Sequence, residues 1–229
     1  MKQFAPLALT PASANFRELY PSALSLKETY VNAHANERLG IIRLWMTEGI
    51  PFAFKEQPLL YEEIRSFLAA RINVYSKDIT VVGSARIGFS MSKKEWGRSF
   101  NNGSDLDLTI VSNDLYKALV MDFQRWVKDI ELRKIQPKNV SEMASWLDNI
   151  KYLDGKIATG FIQVRFIPYH RNYITVKKCY DSIWLLKKRL RLTDSAPQVS
   201  DASIRVYSSW KACINQLHIN LKSALAPWQ

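Results

Sequence analysis

Two short stretches of this sequence decide the fold: Val81-Val82-Gly83-Ser84-Ala85-Arg86-Ile87-Gly88 and, further on, Ser104-Asp105-Leu106-Asp107-Leu108. β-Branched residues lead into the Gly83–Ser84 pair, and apolar residues alternate with acidic ones from Asp105 onward, so both stretches are typical of strands. Residues i and i+2 of a strand project to the same side, so Asp105 and Asp107 are expected to share one face. Two carboxylates so close repel each other unless a cation lies between them.

The residue types in these two strands suit a phosphate ligand and a divalent cation. Mg²⁺ takes hard oxygen ligands and binds through one or two carboxylates together with substrate phosphates. Gly83 lets the backbone approach a phosphate, and Ser84 adds a hydroxyl beside the N–H groups of a following helical turn. The alternative is that Asp105 and Asp107 only form a solvated strand face, although strands disfavour aspartate.

The ordered pair of a Gly-Ser turn after one strand and an Asp-Leu-Asp run on the next resembles the signature of the DNA polymerase β-like nucleotidyltransferase superfamily. The pieces Gly83-Ser84-Ala85-Arg86 and Ser104-Asp105-Leu106-Asp107-Leu108 look most like its bacterial minimal and antitoxin-type members, whereas the long helical flanks are more similar to cyclic-oligonucleotide synthases. The resemblance is firm over about residues 79–111 and weaker to about 168.

The resemblance implies a metal-dependent enzyme that transfers a nucleoside monophosphate from a nucleoside triphosphate such as ATP to an acceptor and releases pyrophosphate. In the family, two carboxylates hold the metal ions that bind the triphosphate and stabilise in-line transfer. Carried over to this chain, Asp105 and Asp107 are the catalytic residues and the ligands of Mg²⁺ or Mn²⁺. The implied nucleotide-binding residues are Gly83, Ser84, Arg86, Ser104 and Arg165.

Two features depart from the family pattern. Twenty residues separate Ser84 from Asp105, a longer spacer than is usual, and its later part (residues 91–102) is expected to form a loop over the site. Polymerising members also carry a third carboxylate on a later strand, where the matching run here, residues 164–168, has Arg165. Arginine can bind phosphate but can neither ligate a metal nor activate a hydroxyl. The alternative function is therefore a catalytically degenerate protein that binds nucleotide or nucleic acid and regulates a partner.

Hydrophobic periodicity predicts an α+β fold with a small mixed sheet flanked by N- and C-terminal helices. The expected segments are 1–76 (helical, after an irregular lead-in through Pro21), 77–170 (the nucleotidyltransferase-like core) and 171–229 (helical), forming one compact unit. Within them we expect helices over 22–46, from Pro58, over 115–132 and 141–150 and from Ile204, strands at 79–82, 106–111 and 161–167, and a hairpin turn at Asp154–Gly155.

Composition narrows the class of protein and its partners. The chain has 229 residues, 47% of them hydrophobic, and a formal net charge of +11, which favours anionic partners. The two cysteines are too few for a disulfide framework, and the chain has neither a convincing signal peptide nor an apolar run long enough for a membrane span, so we expect a cytoplasmic protein without membrane association.

Partners beyond the nucleotide stay open at this stage. The basic run 171–199, with aromatic residues interleaved, either holds nucleic acid through phosphates and stacking or is a helix with solvated lysines that packs Ile183, Trp184 and Leu186 inward. The nucleotidyltransferases that this sequence resembles include antitoxins that nucleotidylate a protein partner and synthases of antiviral signals. Homo-oligomerisation is equally open.

Overall fold

A four-stranded mixed sheet lies between two groups of helices in the computed structural model, which describes Phe16 and residues 18–226. In chain order the elements are α1 (Ala23–Asn32), α2 (Ala35–Met46), α3 (Pro58–Ile72), β1 (Ile79–Val82), α4 (Ser84–Ile87), β2 (Leu106–Val111), α5 (Asn113–Glu131), α6 (Val140–Ile157), β3 (Phe161–Gln163), α7 (Ile174–Leu192), β4 (Ala202–Tyr207) and α8 (Trp210–Leu225). The predicted α+β class is confirmed. Most of the predicted irregular lead-in lies outside the described residues.

The strand order in the sheet is β1-β2-β4-β3. β1 is antiparallel to β2, β4 runs parallel to β2 in a register that pairs Asp107 with Ser203, and β3 is antiparallel to β4. The sheet therefore draws an inner strand from the C-terminal segment, and the core extends beyond the boundaries 77–170.

The two faces of the sheet differ in polarity. One face is wholly apolar and packs against α3, α5 and α7; its residues are Ile79, Val81, Leu106, Leu108, Ile110, Ile162, Ala202, Ile204 and Val206. The opposite face packs on α2 and α8 through its apolar rim. Strand pairing places polar residues at its centre: Thr80, Asp107, Thr109, Gln163, Ser203 and Arg205. Thr80, Thr109 and Gln163 are buried there, whereas Asp107, Ser203 and Arg205 are partly exposed.

Several sequence-based boundaries are wrong. The first helix is interrupted, and α2 starts afresh where the Glu37 carboxylate accepts a hydrogen bond from the His34 N–H at 2.7 Å. The hairpin expected at Asp154–Gly155 is helical, because α6 continues to Ile157. β3 ends at Gln163 and a 3-10 turn follows. The helix expected from Ile204 is preceded by a strand, and α8 begins only at Trp210.

The basic run 171–199 forms α7 and the segment that follows it. Its buried residues include Val176, Cys179 and Leu186, whereas Trp184 is exposed, so the expectation that Trp184 packs inward is wrong. Lys188 lies over the Trp184 ring at 4.0 Å from the centroid.

Both cysteines are buried and unpaired, and burial raises the pKa of the Cys179 and Cys213 thiols to about 12, so both are packing residues rather than nucleophiles.

A side chain of α5 caps the first turn of α7. Asp122 is only 5% exposed, and its Oδ2 accepts hydrogen bonds from the backbone N–H groups of Thr175 at 2.7 Å and Val176 at 3.0 Å. The first N–H groups of a helix have no hydrogen-bond acceptor within the helix. The Asp122 carboxylate accepts from two of them, and its negative charge interacts favourably with the helix dipole.

We expect Asp122→Ala to lower the free energy of unfolding by about 1–2 kcal/mol, because two buried N–H groups lose their acceptor. Asp122→Asn keeps an acceptor oxygen and should lose less. Asp148→Ala, a matched change at an exposed position of α6, is the control, and urea unfolding followed by circular dichroism is the measurement. Equal stabilities of the Asp122→Ala and Asp148→Ala variants would contradict the capping role.

Candidate functional site

The Gly83–Ser84 turn connects β1 to the short helix α4. Gly83 has φ 72° and ψ −153°, a backbone conformation that is open almost only to glycine. A Cβ atom at Gly83 would lie 3.1 Å from Oδ2 of Asp107. Glycine is therefore required both by the backbone and by the close approach of the Asp107 carboxylate.

Asp107 lies at the end of the β1–β2 ladder, directly opposite Val82. Its Oδ1 accepts hydrogen bonds from the hydroxyl of Ser203 at 2.9 Å and forms an ion pair with the Arg205 guanidinium at 3.1 Å. Both charged side chains are about one-quarter exposed. The parallel pairing of β2 with β4 thus brings the carboxylate, a hydroxyl and a cation together on the polar face of the sheet.

These groups open onto a cavity of about 320 Å³, which we call the Asp107 recess. Its polar lining comprises Gly83, Ser84, Ser90, Ser92, Asp107, Arg205 and Asn220, and its apolar lining comprises Met46, Val82, Met91, Leu217 and Leu221. The spacer contributes to this wall through residues 90–92, which accords with the prediction of a loop at the site. The basic side chains of the spacer do not line the recess. Lys93 and Lys94 are exposed, and Arg98 pairs with Glu95 at 3.0 Å.

Asp105 lines a different cavity, of about 280 Å³, which we call the Asp105 recess. It is exposed just before β2, and its Oδ1 accepts a hydrogen bond from Ser200 Oγ at 2.5 Å. Asp105 and Asp107 therefore line separate recesses, whereas the sequence predicted that they share one face of the strand. Ser203 joins the two recesses, because it lines the Asp105 recess while its hydroxyl contacts Asp107.

The side chains of the Asp107 recess supply only part of the ligands that a divalent cation needs. Among the described residues, no three His, Cys, Asp or Glu side chains cluster in a way that could hold a metal ion. Asp107 is also already neutralised by Arg205. An ion bound through one carboxylate and the phosphates of a substrate fits these residues, because Mg²⁺ commonly binds in that way. An ion held by the protein alone does not.

The structure gives two predicted nucleotide ligands other roles. Arg86 is 2% exposed, and its guanidinium donates to the carbonyls of Ile50 at 3.0 Å and of Glu48, so it ties down the loop after α2 instead of facing the recess. Ser104 is buried, and its hydroxyl accepts from the Asn101 N–H at 3.1 Å, which shapes the turn before β2. Gly83 and Ser84 line the Asp107 recess.

Arg165, which stands in the sequence where a third carboxylate was expected, does not line the Asp107 recess. Arg165 lies in the 3-10 turn after β3, lines the Asp105 recess and extends over the Phe166 ring at 5.2 Å. The later strand that does pair with β2 is β4, and residues 202–207 (Ala-Ser-Ile-Arg-Val-Tyr) contain no acid. Arg205, which sequence reasoning missed, lies on this strand and pairs with Asp107. The alternation of Ser203 and Arg205 with Ile204 and Val206 was the available signal, but helical spacing from Tyr207 onward obscured it.

We expect Gly83→Ala to destabilise the fold by about 1–3 kcal/mol and to displace Asp107, because alanine is strained at this φ and its Cβ meets the carboxylate. Gly155→Ala is the matched control: Gly155 lies within α6 with nothing within 4 Å of its would-be Cβ, so alanine there should stabilise by about 0.5–1 kcal/mol. Thermal unfolding of both variants measures the difference, and destabilisation of equal size in both would contradict this account.

No protein-family model, curated protein or solved structure matches this chain. Among the described residues, no helix is both long and apolar enough to cross a membrane.

Proposed function

We propose that this protein binds a nucleoside triphosphate with Mg²⁺ or Mn²⁺ in the Asp107 recess and transfers the nucleoside monophosphate to an acceptor. One observation carries the proposal: Gly83 and the Asp107 carboxylate, which the sequence places 24 positions apart, lie against each other, and both line one cavity together with Ser84. The resemblance to nucleotidyltransferases implies this juxtaposition for Gly83, Ser84 and Asp107, whereas Asp105 lines the other recess.

Each group of the recess has a task in this proposal. Gly83 lets phosphate oxygens approach the backbone, and the Ser84 hydroxyl donates to them. Asp107 supplies the carboxylate ligand, and a divalent cation at that place contributes charge neutralisation of the triphosphate. Ser203 donates to Asp107 and fixes its orientation. Arg205, once the carboxylate turns toward a cation, is positioned to pair with a phosphate oxygen.

The Arg205–Asp107 ion pair favours a second candidate function, in which the protein binds nucleotide without transferring it. A guanidinium already neutralises the carboxylate that would hold the metal, and β4 supplies no acid to activate an attacking hydroxyl. In this case Arg205 takes the electrostatic place of a metal ion, and nucleotide binding regulates a partner.

Incubation of the protein with labelled nucleoside triphosphates, with Mg²⁺, with Mn²⁺ or with excess chelator, separates the two functions. Metal-dependent binding with pyrophosphate release and a labelled acceptor is the result expected of the transferase. Metal-independent retention of intact triphosphate is the result expected of the regulatory binder. If the protein bound none of the four common nucleoside triphosphates under any of these conditions, both proposed functions would be overturned.

A further inference from the structure

A wide groove lies on the other side of Arg165 from the Asp105 recess. It has a volume of about 960 Å³ and runs between the α5–α6 connection, the first turns of α6 and the segment after β3. We define this basic groove by Lys134, Lys138, Trp146, Arg165 and Tyr169, all of which line it. It shares no lining residue with the Asp107 recess.

The groove carries an excess of positive charge. Lys134, Lys138 and Arg165 are exposed, and none of them has a carboxylate within 4.0 Å in the described part of the chain. The acid in the lining, Glu142, accepts a hydrogen bond from the backbone N–H of Lys138 at 2.5 Å, so it serves the start of α6. A surface with three exposed cations, none of them within 4.0 Å of a carboxylate, is complementary to a polyanion.

The groove also presents aromatic rings that are already held in place. Tyr169 is 54% exposed, its hydroxyl donates to Asp181 at 3.1 Å, and Lys177 lies over its ring at 5.4 Å from the centroid. These contacts hold the ring in place, and a base would stack on the face away from Lys177. Trp146 is held edge-on against the buried Trp126 at 5.8 Å. Preordered rings stack on bases at little entropic cost, and stacking favours unpaired bases whose faces are open.

We propose that the basic groove binds single-stranded nucleic acid, with phosphates on Lys134, Lys138 and Arg165 and a base on Tyr169. The combination of cations with fixed rings favours a single strand over an acidic protein or a duplex, neither of which offers unstacked bases. Because Arg165 lines both the basic groove and the Asp105 recess, a bound strand runs toward Asp105. The inference does not depend on the proposed function of the Asp107 recess.

Fluorescence anisotropy with a labelled single-stranded oligonucleotide of about 15 residues, without nucleotide or divalent ions, tests the groove directly. Lys134→Ala/Lys138→Ala should weaken binding about tenfold and reduce the slope of log affinity against log salt by about 1.4, as expected for two lost phosphate contacts. Lys211→Ala/Lys222→Ala, which removes two exposed lysines of α8, is the matched control and should leave both quantities unchanged.

The Tyr169 pair of variants tests stacking separately from charge. Tyr169→Ala should weaken binding at least about fivefold, whereas Tyr169→Phe keeps the ring and should retain most of the affinity. Circular dichroism of each variant establishes that it is folded. The proposal is overturned if both double-lysine variants lose affinity equally, if Tyr169→Ala binds like the unchanged protein, or if a duplex or a base-free polyanion competes as well as the single strand.

Discussion

Asp107→Ala is expected to weaken Mg²⁺-dependent binding of nucleoside triphosphate by at least about a hundredfold, because it removes the carboxylate that faces the Gly83–Ser84 turn. Asp107→Asn keeps the shape and one acceptor oxygen but not the charge, so it should lose metal-dependent binding to a similar extent. Titration calorimetry at fixed excess Mg²⁺ measures the affinity, and release of pyrophosphate measures transfer.

Asp148→Asn provides the matched control, since the same change at an exposed position of α6 should leave binding unaltered. Loss of the partly exposed ion pair with Arg205 should cost only about 1 kcal/mol of stability, so the Asp107 variants should remain folded. If Asp107→Asn bound triphosphate as tightly as the unchanged protein in Mg²⁺, the transferase proposal would fail. Unchanged affinity in chelator as well would favour the metal-free binder.

Arg86→Met is expected to lower the free energy of unfolding by roughly 3 kcal/mol, which for a chain of this size lowers Tm by roughly 6–12 °C. The Arg86 guanidinium donates to carbonyls at the end of α2 and in the loop that follows, namely those of Leu44, Glu48 and Ile50. Methionine fills a similar volume but has no donor, so these carbonyls lose their partner in a buried setting. Differential scanning calorimetry measures the shift.

Arg171→Met makes the same chemical change at an exposed position and should alter stability by no more than about 0.5 kcal/mol. The comparison also separates the two roles considered for Arg86. A variant that kept full stability while losing nucleotide affinity would restore Arg86 as a nucleotide ligand and contradict the structural role.

Local sequence patterns were sufficient for the parts of the fold whose signals lie close together in the chain. A run of β-branched residues identified β1, alternating apolar residues identified β2, and Pro58 marked the first residue of α3. The same local logic placed Gly83 and Ser84 beside the acidic strand. It failed at Gly155, which reads as a turn residue but is accommodated inside α6, because packing of a long helix outweighs the preference of one residue.

Local sequence patterns could not predict contacts between segments that are far apart in the chain. The neighbour of β2 comes from 96 positions further along the chain, where Ser203 pairs with Asp107. Arg205 therefore enters the site only through strand pairing, which no local pattern encodes. Arg86 illustrates the converse: its charge suggested a ligand, whereas the fold directs it to backbone carbonyls that are invisible in the sequence.

The position of β4 between β2 and β3 has a consequence for synthesis of the protein on the ribosome. β3 pairs only with β4 among the described strands, and β2 gains its parallel neighbour from the same segment. A nascent chain that ends before residue 202 leaves β2 with an open edge and Asp107 without Ser203 or Arg205. Emergence of residues 202–207 from the exit tunnel is thus the event that joins β3 to β2 and brings Ser203 and Arg205 to Asp107.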